Sequence, residues 1–303
     1  MAAFCPFFSV IVSTYQRVQP LRSCLRALSS QAYPHDRFEV IVVDDGSTTS
    51  PEPHVEAFEK QLNVRLLRQT HSGPAAARNH GARHAKGTFL AFTDDDCAPS
   101  PIWLPTLAEG FATYPEAALG GRTINGLVDN AYSTTSQLVV DYLYTYCNSE
   151  PTYARFLASN NLAFPAKRFH AIGGFDASWK RAAGEDRELC DRWICNGFRM
   201  VFISEAVVEH FHSLTWRTFL RQHFNYGRGA FYFHKKRATR RGHPIRIERL
   251  SFYLRSLRYP FSQAQSCKAL LATLILGAQA ANAAGFFWEM VTNLRPEIRN
   301  FSG

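Results

Sequence analysis

The chain has 303 residues, 46% of them hydrophobic and 19% charged, which fits one large α/β domain plus an appended segment and excludes a largely disordered polypeptide. Thirty-four basic against 25 acidic side chains leave a net charge of +9, so an anionic partner is expected: nucleic acid, a phosphorylated small molecule or an anionic membrane surface. The seven cysteines form no CxxC pair and read as thiols of a reducing compartment. The first apolar run follows without a basic leader, so a signal peptide is not expected and the protein is placed in the cytosol or facing it.

Phe7 to Val12 reads as a strand opening into Ser13-Thr14-Tyr15, and Pro20 sits where a helix bearing Leu21, Cys24, Leu25 and Leu28 begins. Phe38 to Val43 is a second buried strand and ends in Asp44-Asp45-Gly46-Ser47. Val64 to Leu67 is a weaker third, and Pro74 opens an alanine-rich helix with Arg78, Asn79 and Arg83 that Gly87 closes. Thr88 to Thr93 is another apolar strand, and three carboxylates, Asp94, Asp95 and Asp96, stand at its C-terminal end. Crowded carboxylates repel one another and are costly to desolvate unless a cation sits among them. Oxygen ligands at this density suit Mg²⁺ or Mn²⁺, and the C-terminal ends of parallel strands are where open α/β sheets bind ligands. A solvated acidic turn, with Asp96 capping the next helix, is the plainer alternative.

Further on, Trp103, Leu104, Leu107 and Phe111 mark an amphipathic helix, 117–124 a strand, 131–147 a helix, and Asn160 to Phe164 a strand with amides at its mouth. Gly173-Gly174-Phe175-Asp176 is a turn leading into a loop, Ser178 to Gly184. A helix over 185–196 starts with Glu185-Asp186, and two strands, 199–203 and 207–211, follow, the second bearing His210. Strands alternating with helices imply a doubly wound, mixed but mostly parallel sheet flanked by helices. No G-x-G-x-x-G follows the first strand, so a dinucleotide-binding site is not supported.

Six segments in order (Val10 to Tyr15, Ile41 to Ser47, Ala77 to Gly81, Asp94 to Asp96, Gly173 to Asp176 and Gly184 to Asp186) resemble the motifs of family 2 nucleotide-sugar glycosyltransferases. The resemblance covers roughly residues 7 to 212 and implies the GT-A fold with inverting chemistry. It implies a catalytic domain over 1–215, with a nucleotide-binding half at 1–98 and an acceptor half at 99–215; beyond it the resemblance thins and the composition shifts to a basic and apolar helical extension over 216–303. By the same resemblance Ser13, Thr14 and Tyr15 line the base pocket, Asp45 binds base or ribose, and Arg78 sits near the donor. Asp94 to Asp96 matches the DXD signature, with Asp96 the direct metal ligand and Asp94 or Asp95 on ribose or diphosphate. Asp94 and His210 are further candidate ligands, Arg228 a candidate donor contact, and Asp186 or Glu185 the catalytic base. Each has a bland reading beside it: a turn at Asp45-Gly46, a solvated Arg78, an acidic helix start at Glu185-Asp186, a hydrogen-bonded His210.

The implied reaction moves a sugar from a nucleotide diphosphate donor, UDP favoured, to a glycan or lipid-linked acceptor with Mn²⁺ or Mg²⁺. A sugar nucleotidyltransferase-like enzyme is the alternative, but Ser13 to Arg17 offers little of the basic phosphate loop it needs. A catalytically silent nucleotide- or anion-binding scaffold is another. A nucleic-acid partner explains the charge but not clustered carboxylates in a cleft, and is not expected. Beyond His212 the processive-synthase motif Q-x-x-R-W is absent, which favours single transfers. A basic run (Lys235, Lys236, Arg237, Arg240, Arg241, Arg246, Arg249, then Arg255 and Arg258) precedes an uncharged stretch over 269–288. Interfacial attachment to an anionic cytosolic membrane face is expected there, with a full span and a packed helix as alternatives.

Overall fold

The structure, a computed structural model, describes residues 4–179, 183–245, 247–264 and 266–299, with side chains to 293. Arg246 of the basic run and 180–182 of the loop after Asp176 lie outside the described residues. The chain divides into two compact units, one of 1–126, 147–180 and 189–212, the other of 127–146, 181–188 and 213–303.

Among the described residues the first unit holds an eight-stranded sheet. Its strands are β1 (Phe8–Thr14), β2 (Phe38–Asp44), β3 (Val64–Arg68), β4 (Phe89–Asp94), β5 (Cys97–Pro99), β6 (Ala118–Asn125), β7 (Leu162–Pro165) and β8 (Met200–His210). They run in the order β3-β2-β1-β4-β7-β6-β8-β5. The strands from β3 to β4 are mutually parallel, as are β6 and β8, whereas β7 is antiparallel to both its neighbours and β5 to β8. This mixed sheet has the GT-A arrangement. All seven residues of β2 are buried, as expected of a strand covered on both faces. The helices are α1 (Val18–Ser29), α2 (Glu52–Glu56), α3 (Pro74–Arg83), α4 (Trp103–Thr113), α5 (Ala131–Cys147) and α6 (Ala166–Ala171). They continue with α7 (Glu185–Cys195), α8 (Trp216–Arg241), α9 (Leu250–Gln263) and α10 (Lys268–Arg299). Phe8, Phe89 and Phe111 anchor the core under β1 and β4, where the Phe89 and Phe111 rings stack at 3.9 Å.

Several local expectations need correction. Helix α1 begins at Val18, ahead of Pro20, and α3 ends at Arg83, well before Gly87. The two strands foreseen over 199–211 are one, β8, interrupted in register: Ile203 pairs with Gly121 and Val207 with Arg122. The intervening bulge fits because position 121 has no side chain, since a Cβ there would stand 1.8 Å from the Ala206 carbonyl oxygen. Asn160 and Asn161 form a 3₁₀ turn, and the strand starts only at Leu162. Asn161 is fully buried and cross-links the region. Its amide nitrogen donates to the carbonyls of Ala206 (2.8 Å) and Arg122 (3.1 Å), and its oxygen accepts from Trp103 Nε1 at 2.9 Å. Asp96 caps no helix; the turn after β4 leads into β5.

The second unit is built from α5, α8, α9, α10 and the first turn of α7. A reciprocal Thr215–Thr218 capping box starts α8, and Gly242, at φ +64°, ends it. Gly227 of α8 and Gly285 of α10 let these helices touch: Cβ atoms there would lie 1.8 Å from the Asn282 and 1.9 Å from the Phe224 carbonyl oxygens. One face of α10 is buried, Leu271 and Ile275 against Leu138 and Ala278 against Leu214 and Phe219. The other face is exposed, with Leu276, Phe287 and Trp288 each at least half accessible. By length and composition Lys268–Asn293 is able to cross a bilayer, and 28% of its most apolar window is buried.

Candidate active site

The register of the parallel strands puts Ser13 beside Asp94 and Thr14 beside Asp44 at the C-terminal ends of β1, β2 and β4. The turn after β4 then presents Asp95 and Asp96, both buried. The Thr14 hydroxyl donates to Asp95 at 2.7 Å. Arg17, from the loop after β1, places one guanidinium nitrogen 2.6 Å from Asp95 and another 2.6 Å from Asp96. On the other side His210 Nε2 lies 3.3 Å from Asp96 Oδ1, because β5 pairs with β8 and sets Cys97 opposite His210.

Burial of this cluster shifts its titration. It pushes the Asp95 carboxyl up to about 7, aided by Asp96 and Asp94 and opposed by Arg17 and the Thr14 hydroxyl. Burial acts the same way on Asp96, but there the hydrogen bond and charge of His210, with Arg17, win and hold it well below the usual carboxylate range. His210 responds oppositely: burial disfavours its cation, yet contact with Asp96 raises it above its ordinary value.

Asp94 turns to a different partner. Its carboxylate accepts from Arg78 at 2.8 Å, and the buried Arg78 guanidinium stands 5.4 Å from the Phe175 ring centre. Next to it on α3, Asn79 clasps Phe175 both ways, donating to its carbonyl at 2.7 Å and accepting from its N–H at 2.8 Å. Thus two segments read separately in the sequence, at 77–81 and 173–176, meet through Asn79 and Arg78. Asp45 is buried and its carboxylate gathers the 69–73 loop, accepting from Gln69 Nε2 (2.7 Å), Ser72 N (2.9 Å) and Gly73 N (2.8 Å). His71 lies 3.0 Å from it and stacks on the exposed Tyr15 ring at 4.3 Å.

In the second unit, Glu185 is buried, and Asp186 Oδ1 accepts from the N–H of Arg187 at 2.8 Å in the first turn of α7. Glu188 pairs there with Arg240 of α8. Arg228 stands 2.6 Å from Glu289 of α10, so a donor contact from it requires breaking that pair.

For a divalent ion, the ligand atoms of Asp96, Cys97 and His210 lie within 4.8 Å of one another. Hard divalent ions take carboxylate oxygen in preference to thiolate sulfur, so of these three Asp96 fits Mn²⁺ or Mg²⁺ best, and the His210 imidazole suits Mn²⁺ better than Mg²⁺. Asp94, the third candidate, is engaged by Arg78. Sequence reasoning missed Arg17 and His71. The signal for Arg17 was charge balance: three adjacent carboxylates call for a cation, and Arg17 follows the neighbouring strand.

An eight-stranded mixed sheet with a carboxylate cluster at the C-terminal ends of its parallel strands is the arrangement expected of a GT-A glycosyltransferase. The Glycosyl transferase family 2 profile matches residues 9–175, more than half of the chain, and the protein belongs to that family. Glycosyltransferase AglE of Haloferax volcanii is 26% identical over 241 residues, covering 76% of this chain and 74% of that protein. The chondroitin synthase of Escherichia coli is 29% identical over 67% of this chain, which spans only 34% of the synthase. In fold the chain is similar to the mannosyltransferase PcManGT from Pyrobaculum calidifontis in complex with GDP-Man and Mn²⁺ (TM-score 0.60, 20% identity, 97% of this chain and 81% of that one). It is similar too to S. aureus TarS 1–349 in complex with UDP-GlcNAc (TM-score 0.58, 17% identity, 92% and 89%).

Proposed function

We propose that this glycosyltransferase is metal dependent and inverting, and moves a sugar from a nucleotide diphosphate donor, UDP first, to a glycan or lipid-linked acceptor. The observation carrying the proposal is the Arg17–Asp95–Asp96–His210 cluster, whose buried carboxylates lie between the Arg17 guanidinium and the His210 imidazole at the end of β4. Asp96 and His210 would hold the Mn²⁺ or Mg²⁺. When bound, the ion supplies positive charge toward the diphosphate oxygens. Ser13, Thr14 and Tyr15 line the base pocket, Tyr15 offering its exposed ring and Asp45 fixing the loop that carries His71. Asp95 and Asp94 face the ribose and diphosphate, and Arg78 anchors Asp94 while adding charge near the donor.

Asp186, with Glu185 beside it, is the base in this reading. It takes the proton of the acceptor hydroxyl as that oxygen bonds to the anomeric carbon and the bond to the diphosphate breaks. The half-exposed apolar face of α10 and the basic residues of α8 and α9 support attachment to an anionic membrane surface on the cytosolic side. The test is nucleotide release from a panel of UDP- and GDP-sugars with and without Mn²⁺. Metal-dependent release from a UDP-sugar supports the proposal, and release unaffected by chelation contradicts it.

A further inference from the structure

Helix α8 carries Gly227-Arg228-Gly229 in its interior, where glycine is unfavourable. Two residues turn a helix by about 200°, so the two glycines look out on opposite sides. On one side Gly227 meets α10: its Cβ would stand 1.8 Å from the Asn282 carbonyl oxygen, and a Cβ on Gly285 1.9 Å from that of Phe224. On the other side Gly229 meets the residues that open α7. A Cβ there would stand 2.4 Å from the Ala183 carbonyl oxygen, and one on Gly184 2.7 Å from the Gly229 carbonyl oxygen. Gly184 also has φ +84°, and its carbonyl accepts from Glu188 N at 3.0 Å as the helix starts. At these points α10, α8 and the start of α7 touch backbone to backbone, with no side chain between them to absorb a displacement.

Further contacts run along the same two seams. Arg187 lies over the Phe233 ring at 4.6 Å and Glu188 pairs with Arg240, so the first turn of α7 follows α8. Toward α10, Arg228 Nε is 2.6 Å from Glu289 Oε2, both side chains being largely buried. The other Glu289 oxygen accepts from Asn293 Nδ2 at 3.1 Å. Glu289 stands one turn beyond Gly285, so the ion pair pins α8 to α10 next to their backbone contact. A buried charge left without its partner is costly, whereas a pair replaced by apolar groups of like volume often is not.

We propose that Gly229, Arg228 and Glu289 are positioning residues of the transfer step. The glycine sets how closely the Glu185–Asp186 turn lies on α8, and the ion pair holds α8 itself in place on α10. The inference deepens the reading given above and rests on its placing the base in that turn. A base works only within hydrogen-bond reach of the proton it takes. A methyl group at 229 obliges the Ala183 carbonyl to retreat by roughly 1 Å to regain ordinary contact, and a misplacement of that size costs about 10²-fold in rate. Arg228 acts on α10 in this arrangement and not on the donor.

The test measures nucleotide release by the full chain from UDP-glucose, UDP-N-acetylglucosamine and GDP-mannose with Mn²⁺, alongside calorimetric binding of UDP–Mn²⁺. Water serves as acceptor: its oxygen bonds to the anomeric carbon, the bond to the diphosphate breaks, and the base takes the proton. Gly229→Ala is expected to lower kcat at least tenfold, with donor KM and UDP affinity within about threefold of the parent. Gly277→Ala, on α10 where a Cβ meets nothing within 4 Å, is the control and is expected to leave all three unchanged. Arg228→Met is expected to lower kcat at least tenfold at unchanged UDP affinity, and adding Glu289→Met to bring kcat back within about threefold. If Gly229→Ala loses helix content by circular dichroism, the Arg228 and Glu289 variants decide alone. A parent-like kcat in folded Gly229→Ala, or a double variant as slow as Arg228→Met, overturns the proposal. So does a tenfold loss of UDP affinity in Arg228→Met, which makes Arg228 a donor contact. Parent-like release in both Asp186→Asn and Glu185→Gln, or no release by the parent at all, removes the base reading and the inference with it.

Discussion

Arg17 Nη1 stands 2.6 Å from Asp96 Oδ2, so a side chain from the loop after β1 neutralises the carboxylate assigned to the metal. A divalent ion and this guanidinium compete for the same oxygens. Arg17→Gln should therefore tighten Mn²⁺ binding while weakening the metal-free fold. Arg17 is 45% exposed, so the loss is discounted from that of a buried pair to about 1–2 kcal/mol. Urea unfolding in chelator and a Mn²⁺ titration measure both. Mn²⁺ affinity that falls in the variant contradicts the competition.

The same cluster gives the metal-free protein a pH signature. Asp95 and His210 both have raised values in the folded chain, so their stabilising contribution is full below their unfolded values and is lost as pH rises through the folded ones, about 7 for Asp95. Asp96, held low, acts in the opposite sense, losing its contribution only as the solution becomes strongly acidic. Between about pH 4 and 7, where Asp95 loses its contribution, stability in chelator should therefore decline with rising pH more steeply in the parent than in Asp95→Asn. Equal slopes would place the Asp95 proton elsewhere.

Asn79 makes a two-way clasp on Phe175, and its removal leaves a backbone N–H and a carbonyl without these partners. Asn79→Ala should destabilise the fold by about 1–3 kcal/mol, read as a shift in urea midpoint at unchanged slope. A midpoint within error of the parent contradicts the structural weight placed on this contact.

Much of the sheet was legible because buried parallel strands are continuous apolar runs, as at Phe38 to Val43 and Phe89 to Phe92, and a turn or helix start punctuates each. The break in β8 was not legible. It depends on the missing side chain of Gly121 and on the Asn161 amide, far apart in sequence. Strand β5 was hidden for a similar reason, being three residues long and formed only by pairing with β8. At the site, carboxylates announced themselves by clustering, whereas Arg17 and His71 became visible only when loops converged.

Asp186→Asn should lower the transfer rate by about 10²–10⁴ while leaving the donor KM within about threefold, because a base acts on the acceptor proton and not on donor affinity. Glu185→Gln should have the smaller effect. If Glu185→Gln alone abolishes transfer, the base is Glu185.

The central claim is that Asp96 brings a divalent ion to the nucleotide, and calorimetric titration of UDP into parent and Asp96→Ala protein, each with Mn²⁺ and with chelator, tests it most directly. Changes merely adjacent to metal ligands alter affinity by about 10–100-fold, so loss of the ligand itself should erase a Mn²⁺ enhancement of about a hundredfold. The account predicts that enhancement in the parent and none in a folded Asp96→Ala variant. An equal Mn²⁺ enhancement in both would contradict it.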